Sequence, residues 1–172
     1  VVDINAANTI RAGVFGVQDG IVSTFGLVMG VAGAQVSPEA VLIAGIAGAF
    51  SGAVSMGAGE YVSVKVQHEL LAARGSRGGE GNVSPYRAAT ANSGLFVLGA
   101  AFPLLPFLFL VGLPAVALST ALSAFALFAT GALLTRLTRR PPLLSGLRML
   151  VIGGGAGLLG YGVGSVLGVA VG

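Results

Sequence analysis

Three side chains set in otherwise apolar stretches have types that could do chemistry: Asp19, Met56 and Glu60. Met56 and Glu60 stand four residues apart in GAFSGAVSMGAGEYVSVK, residues 48–65. On a helix, positions i and i+4 share one face about 6 Å apart along the axis, so a thioether and a carboxylate can meet one ion there. Soft sulfur beside hard oxygen suits a borderline first-row divalent cation better than magnesium or calcium, which prefer all-oxygen shells. An Asp at the centre of a membrane helix costs about 2.5–3.5 kcal/mol on insertion scales, so a carboxylate at that depth points to an ion pathway or a proton relay.

Each of these residues also has a plainer reading. A shorter first span would leave Asp19 at the interface, paired with a base such as Arg11, and Glu60 lies close enough to a span end to reach headgroups and water. Met56 without Glu60 would be a flexible gap filler, and Met29, which has no such partner, is assigned to packing. Gln18, Ser23, Thr24 and Ser55 could add oxygen ligands, although hydroxyls in membrane helices usually bond back to their own backbone. His68 and Glu69 are adjacent, hence about 100° apart around a helix. That angle favours a solvated face over a chelating pair, unless a second subunit completes a metal site at the pathway mouth. Glu80 reads as solvated.

The elements that must position these residues follow from composition. Of 172 residues, 55% are hydrophobic and 9% charged, and the mean hydropathy is +0.93, which describes an integral membrane protein in a lipid bilayer. Five apolar runs are long enough to cross roughly 30 Å of hydrocarbon, at about 12–34, 38–64, 85–111, 114–135 and 145–171. The fold class is therefore all-α and polytopic, a single transmembrane domain. Ser37-Pro38 and Ser84-Pro85 each set a capping hydroxyl before a proline at the first helical position. Pro103 and Pro106 inside the third run are expected to kink it.

Glycine is abundant, 29 residues, and three small-xxx-small pairs, Gly16/Gly20, Gly26/Gly30 and Gly48/Gly52, suit close crossings of the first two helices. No basic n-region precedes the first apolar run, so no cleavable signal peptide is expected and the first span serves as the insertion signal. Arg11, Lys65, Arg74, Arg77, Arg87, Arg136, Arg139, Arg140 and Arg148 all fall on one side if the N-terminus is cytoplasmic and the C-terminus luminal or external.

Several function classes drop out. The pI of about 10.0 comes from these retained loops, and no basic, aromatic-bearing soluble module is present to bind nucleic acid. The absence of cysteine removes disulfides, thiolate ligands and cysteine nucleophiles, and no nucleophile and base stand in a recognisable arrangement, so an enzyme is not expected. A passive cation channel and a non-transporting scaffold, with Asp19 and Glu60 as structural hydrogen-bonding groups, stay open.

FGVQDGIVSTFGLVMGVAGA (15–34) followed by LIAGIAGAFSGAVSMGAGEYVSVK (42–65) resembles the two signature helices of the vacuolar iron transporters, and PYRAATANSGLFVLGAAFPLLPFLF (85–109) is similar to that family's third helix. The resemblance implies a five-helix homodimer with the ion pathway between subunits. It also implies export of cytosolic ferrous iron, and of other divalent metals such as Mn2+, Co2+ or Zn2+, into a vacuole or out of the cell in exchange for protons. Metal is then cargo, with no permanently bound cofactor, and the matching positions are Asp19, Met56 and Glu60. Both a vacuolar membrane and a bacterial inner membrane fit the topology. One departure stands out: family members of the iron-transporting type carry a helical metal-binding domain between the second and third spans. Here residues 72–84 read as a short flexible linker, whether the domain was excised or the branch is a shorter one, and a domain upstream of Val1 stays open.

Overall fold

In the computed structural model, which describes residues 4–75, 83–138 and 141–171, the chain is all-helical. Five helices follow one another: α1 (Ile4–Gly33), α2 (Pro38–Ala73), α3 (Pro85–Phe109), α4 (Leu113–Thr138) and α5 (Pro142–Val171). Each is long and apolar enough to span a membrane. At 1.5 Å per residue, α1 measures about 45 Å and α2 about 54 Å, so both outrun a hydrocarbon core of roughly 30 Å. α2 carries Gln67, His68 and Glu69 as a continuation of the span. The linker expected at 72–84 lies mostly at 76–82, outside the described residues together with Glu80, while residues 72 and 73 close α2.

Local chemistry explains the helix ends. The Ser37 hydroxyl accepts from the Ala40 amide at 3.3 Å and Ser84 from the Arg87 amide at 3.4 Å, each ahead of a first-turn proline. Gly112 adopts φ +65 between α3 and α4, a left-handed conformation that glycine takes without a Cβ clash. Pro103 and Pro106 sit inside α3, which continues to Phe109, and both are buried. The Pro103 carbonyl accepts from the buried Ser119 hydroxyl of α4 at 2.8 Å, a bond that ties the proline-bearing segment to its neighbour.

Packing is organised around α1, which touches all four other helices. Gly16 and Gly20 lie against the α3 backbone at Asn92 and Phe96, and Gly99 of α3 lies against Val17. On another side Gly26 and Gly30 meet α5, where Gly160 and Gly164 face them in return. The first two glycine pairs therefore serve α1–α3 and α1–α5 rather than the α1–α2 crossing expected from sequence. In the third pair, Gly48 of α2 gives room to the side chain of Leu27 of α1, as expected for an α1–α2 contact, while Gly52 gives room to Phe96 of α3. Each span repeats the small-residue pattern, so spacing alone could not assign partners.

Apolar packing fills the remaining space, with Phe25, Val28, Met29, Leu104 and Phe107 in the largest cluster. Met29 is thus a packing residue. The outer surfaces of α2 and α5 expose Phe50, Val54, Leu158 and Val169, as a lipid-facing surface should. The buried Asn92 amide donates to the Ala12 carbonyl at 3.2 Å, pinning α3 to α1 near one end of the bundle.

Replacing Gly20 with Val drives a side chain into the Phe96 backbone, whereas a methyl group at Gly162 meets nothing within 4 Å. Gly20→Val should cost about 1–3 kcal/mol and lower the unfolding midpoint in detergent, as overpacking does. Gly162→Ala should shift it negligibly. Thermal unfolding of the two variants checks this, and similar midpoints would refute the close-contact assignment.

Candidate functional site

Three clefts on the bundle differ sharply in chemistry. One, between α2 and α3 at Leu42, Phe50 and Leu104, is lined by apolar groups, and another beside α5 sets Thr120 and Tyr161 among apolar residues such as Phe25, Leu113 and Leu158. The third, about 330 Å3, lies between α1 and α2 with Phe96 of α3 against it. Asp19, Ser23, Thr24 and Leu27 line it from α1, and Gly48, Ser51, Gly52, Ser55 and Met56 from α2. Of the three it is the one with a carboxylate in its walls, joined there by a thioether and four hydroxyls.

Helical geometry explains the convergence. Asp19, Ser23 and Leu27 follow at steps of four, and so do Gly48, Gly52 and Met56, so each helix presents one face to the cleft. Gly48 and Gly52 keep the α2 wall thin where Leu27 and Phe96 lean toward it. The Ser23 hydroxyl donates to the Asp19 carbonyl in its own helix and keeps its lone pairs for a ligand. Thr90, Thr120, Thr130 and Ser165 bond back to their helices in the same way.

The structure brings together Asp19, Met56, Ser23, Thr24 and Ser55. Gln18 is half-buried beside Asp19 in sequence but does not line the cleft. Glu60 is also outside the lining. Its carboxylate accepts from the Arg11 guanidinium at 2.9 Å, and its side chain is 11% exposed against 62% for Arg11. The interfacial reading paired Arg11 with Asp19; the structure pairs it with Glu60, because the two helices run antiparallel and bring residues 11 and 60 to one level. His68 and Glu69 lie two or more turns beyond Glu60 along α2. Glu69 is exposed, while the Nε2 atom of His68 is shielded without a hydrogen-bond partner. His68 is thus half-buried, not on an open solvated face.

Among the described residues, no group of three or more His, Cys, Asp or Glu side chains converges as a metal cage. Within the cleft, this chain offers a single carboxylate and a single thioether, with hydroxyls around them. Sequence reasoning missed Ser51 and Phe96 in this lining. Ser51 could have been found, since it stands four residues before Ser55 on the same helix face. Phe96 carried no such signal, because its place depends on how α3 packs on α1 and α2.

The VIT family model matches residues 10–80 and 74–165 of this chain. Vacuolar iron transporter homolog 5 of Oryza sativa subsp. japonica is 39% identical over 160 residues, covering 88% of this chain and 76% of that protein. Vacuolar iron transporter homolog 3 of Arabidopsis thaliana is 36% identical over 174 residues, covering 94% and 84%. VIT-like transporter 1b of Glycine max is 31% identical over 182 residues, covering 97% and 80%. The five-helix membrane fold carries the match nearly end to end, and the chain belongs to the VIT family, whose members are transporters and not enzymes.

Proposed function

We propose that this chain moves divalent transition metal, ferrous iron first, out of the cytosol in exchange for protons. The observation that carries this reading is the cleft that joins Asp19 and Met56 across α1 and α2 within the spanning region. A carboxylate attracts a partly dehydrated cation, and the thioether tilts preference toward a borderline ion such as Fe2+, with Mn2+, Co2+ and Zn2+ as further cargo. The relatives named as iron transporters support iron as the substrate. Metal and proton compete for the same carboxylate oxygens, so protonation from the far side releases the metal. Glu60 stands one turn past Met56 toward the N-terminal end of α1, where it receives metal on its way to Asp19.

The working unit is a homodimer. Ser23, Ser51 and Ser55 are exposed on the open side of the cleft, and lipid tails give polar side chains no hydrogen-bonding partner. A second copy against this side covers them and doubles the ligand set to two carboxylates and two thioethers. Direction follows from charge: Arg11, Lys65, Arg74, Arg87 and Arg148 belong to helix ends and loops on the N-terminal side, which the positive-inside rule puts in the cytosol. The C-terminus then faces a vacuolar lumen or the outside of a bacterial inner membrane.

Ferrous-iron uptake into proteoliposomes with an imposed proton gradient tests this. Asp19→Ala should lower gradient-driven uptake at least tenfold, and Glu60→Ala should do the same, while both variants insert normally. Met56→Ala should raise the iron concentration for half-maximal uptake severalfold more than it changes the value for magnesium. Uptake indifferent to the gradient would replace exchange with a passive channel. The absence of uptake in folded protein would leave a scaffold.

The cysteine-free chain also makes the dimer directly testable. Ser51→Cys should form an oxidant-dependent cross-linked dimer in membranes, whereas Leu158→Cys on the outward face of α5 should not. Equal cross-linking at both positions would remove the basis for this interface.

A further inference from the structure

The α1–α2 cleft has a cation already tied to its mouth. Arg11 precedes Asp19 by eight residues on α1, and Glu60 follows Met56 by four on α2. In an antiparallel pair, both displacements run toward the same end, so the Arg11–Glu60 ion pair lies roughly one to two turns from the cleft on its N-terminal side. It is the one ion pair found between described residues, and it bridges the two helices that form the cleft walls. Its halves are unlike: the carboxylate is largely buried and the guanidinium largely exposed.

That asymmetry determines which partner can leave. Glu60 is held in the helix interface, and an unpaired, ionised carboxylate there would be costly, so while it is ionised it stays paired with a cation. Arg11 carries its charge on a long, largely exposed side chain near the start of α1, so the guanidinium can swing away toward the membrane surface. An arriving cation therefore has a defined exchange available: it takes the Glu60 oxygen as the guanidinium vacates it. A divalent ion repels the guanidinium with twice the charge of a monovalent one and also binds the carboxylate more strongly. Arg and metal compete for this carboxylate because two cations held on one group repel each other and the hydrogen bond to Oε1 draws on electron density that the metal would coordinate.

We propose that Arg11 is a tethered competitor for metal at Glu60. It keeps the carboxylate charge-balanced while the cleft is empty, sets the cytosolic metal concentration at which loading begins, and excludes monovalent cations, which are too weak to displace it. The role of Arg11 is regulatory: it touches Glu60 and not the metal. This inference rests on Glu60 being part of the metal route proposed above.

Its test separates the two readings by using binding as well as flux. Cobalt(II), an air-stable stand-in for ferrous iron, is titrated calorimetrically into purified protein in nanodiscs, and iron uptake is measured on the same preparations in proteoliposomes. Arg11→Gln should tighten cobalt binding about three- to tenfold and lower the half-saturating iron concentration in parallel, the range expected for freeing a carboxylate from a charge-assisted bond. Arg11→Lys keeps the charge and should stay within about twofold of the parent, which guards against a variant that fails only by misfolding. In a Glu60→Gln background, Arg11→Gln should change binding less than about twofold, because the contact that mediates the competition is gone.

An unchanged affinity in Arg11→Gln overturns the proposal. So does an equal tightening in the Glu60→Gln background, which would mean that the arginine acts only through its long-range field. Tightened binding without uptake in any variant upholds the competitor and removes the transport reading instead.

Discussion

Helices in a bilayer gain no hydrophobic energy from touching one another, because lipid tails are as apolar as their side chains. What holds this bundle is close approach, and close approach depends on where the chain has no side chain. α1 meets α3 through Gly16, Gly20 and Gly99, and meets α5 through Gly26, Gly30, Gly160 and Gly164. These contacts bring backbone against backbone, which gives many short dispersion contacts at little side-chain entropy cost. The other helices are arranged around α1, which touches all four of them.

The same constraint shapes the cleft. With two sides of α1 committed to α3 and α5, the side that faces α2 is packed more openly, and α2 meets it with Gly48 and Gly52 where bulk would close the gap. Asp19 and Met56 reach this space because their helices turn those faces toward each other. Lipid tails offer no hydrogen-bonding partner to the carboxylate and hydroxyls that border it, so the space is suited to a polar occupant. Tight packing on one side of α1 and a polar opening on the other are two results of one distribution of glycines.

Length adds a second consequence. α1 and α2 both extend past the hydrocarbon core, so their ends lie in a region where charge is tolerated. Arg11 and Glu60 meet near that boundary, one exposed and one largely buried. A shorter α2 would bring no carboxylate to this level. The continuation through His68 and Glu69 extends the same helix beyond the cleft mouth, and His68 keeps one ring nitrogen shielded there.

The five spans, their serine and proline starts and the exceptional character of Asp19, Met56 and Glu60 are legible in the sequence, because apolar run length, capping chemistry and the cost of a buried carboxylate are all local properties. Ser51 was within reach of the same helical spacing. The partners were not legible. Every helix carries small-residue pairs, so spacing could not say that Gly16 and Gly20 face α3, nor that Gly26 and Gly30 face α5. The i,i+4 relation placed Met56 and Glu60 on one strip of α2, but contacts distant in sequence divided them: Met56 joins Asp19 in the cleft, and Glu60 takes Arg11, 49 residues away. The sequence by itself determined which residues are costly to bury and which stretches cross the membrane. Only the tertiary structure decided which costly residues meet, because that depends on the rotation and depth of whole helices, and those are set by packing against neighbours.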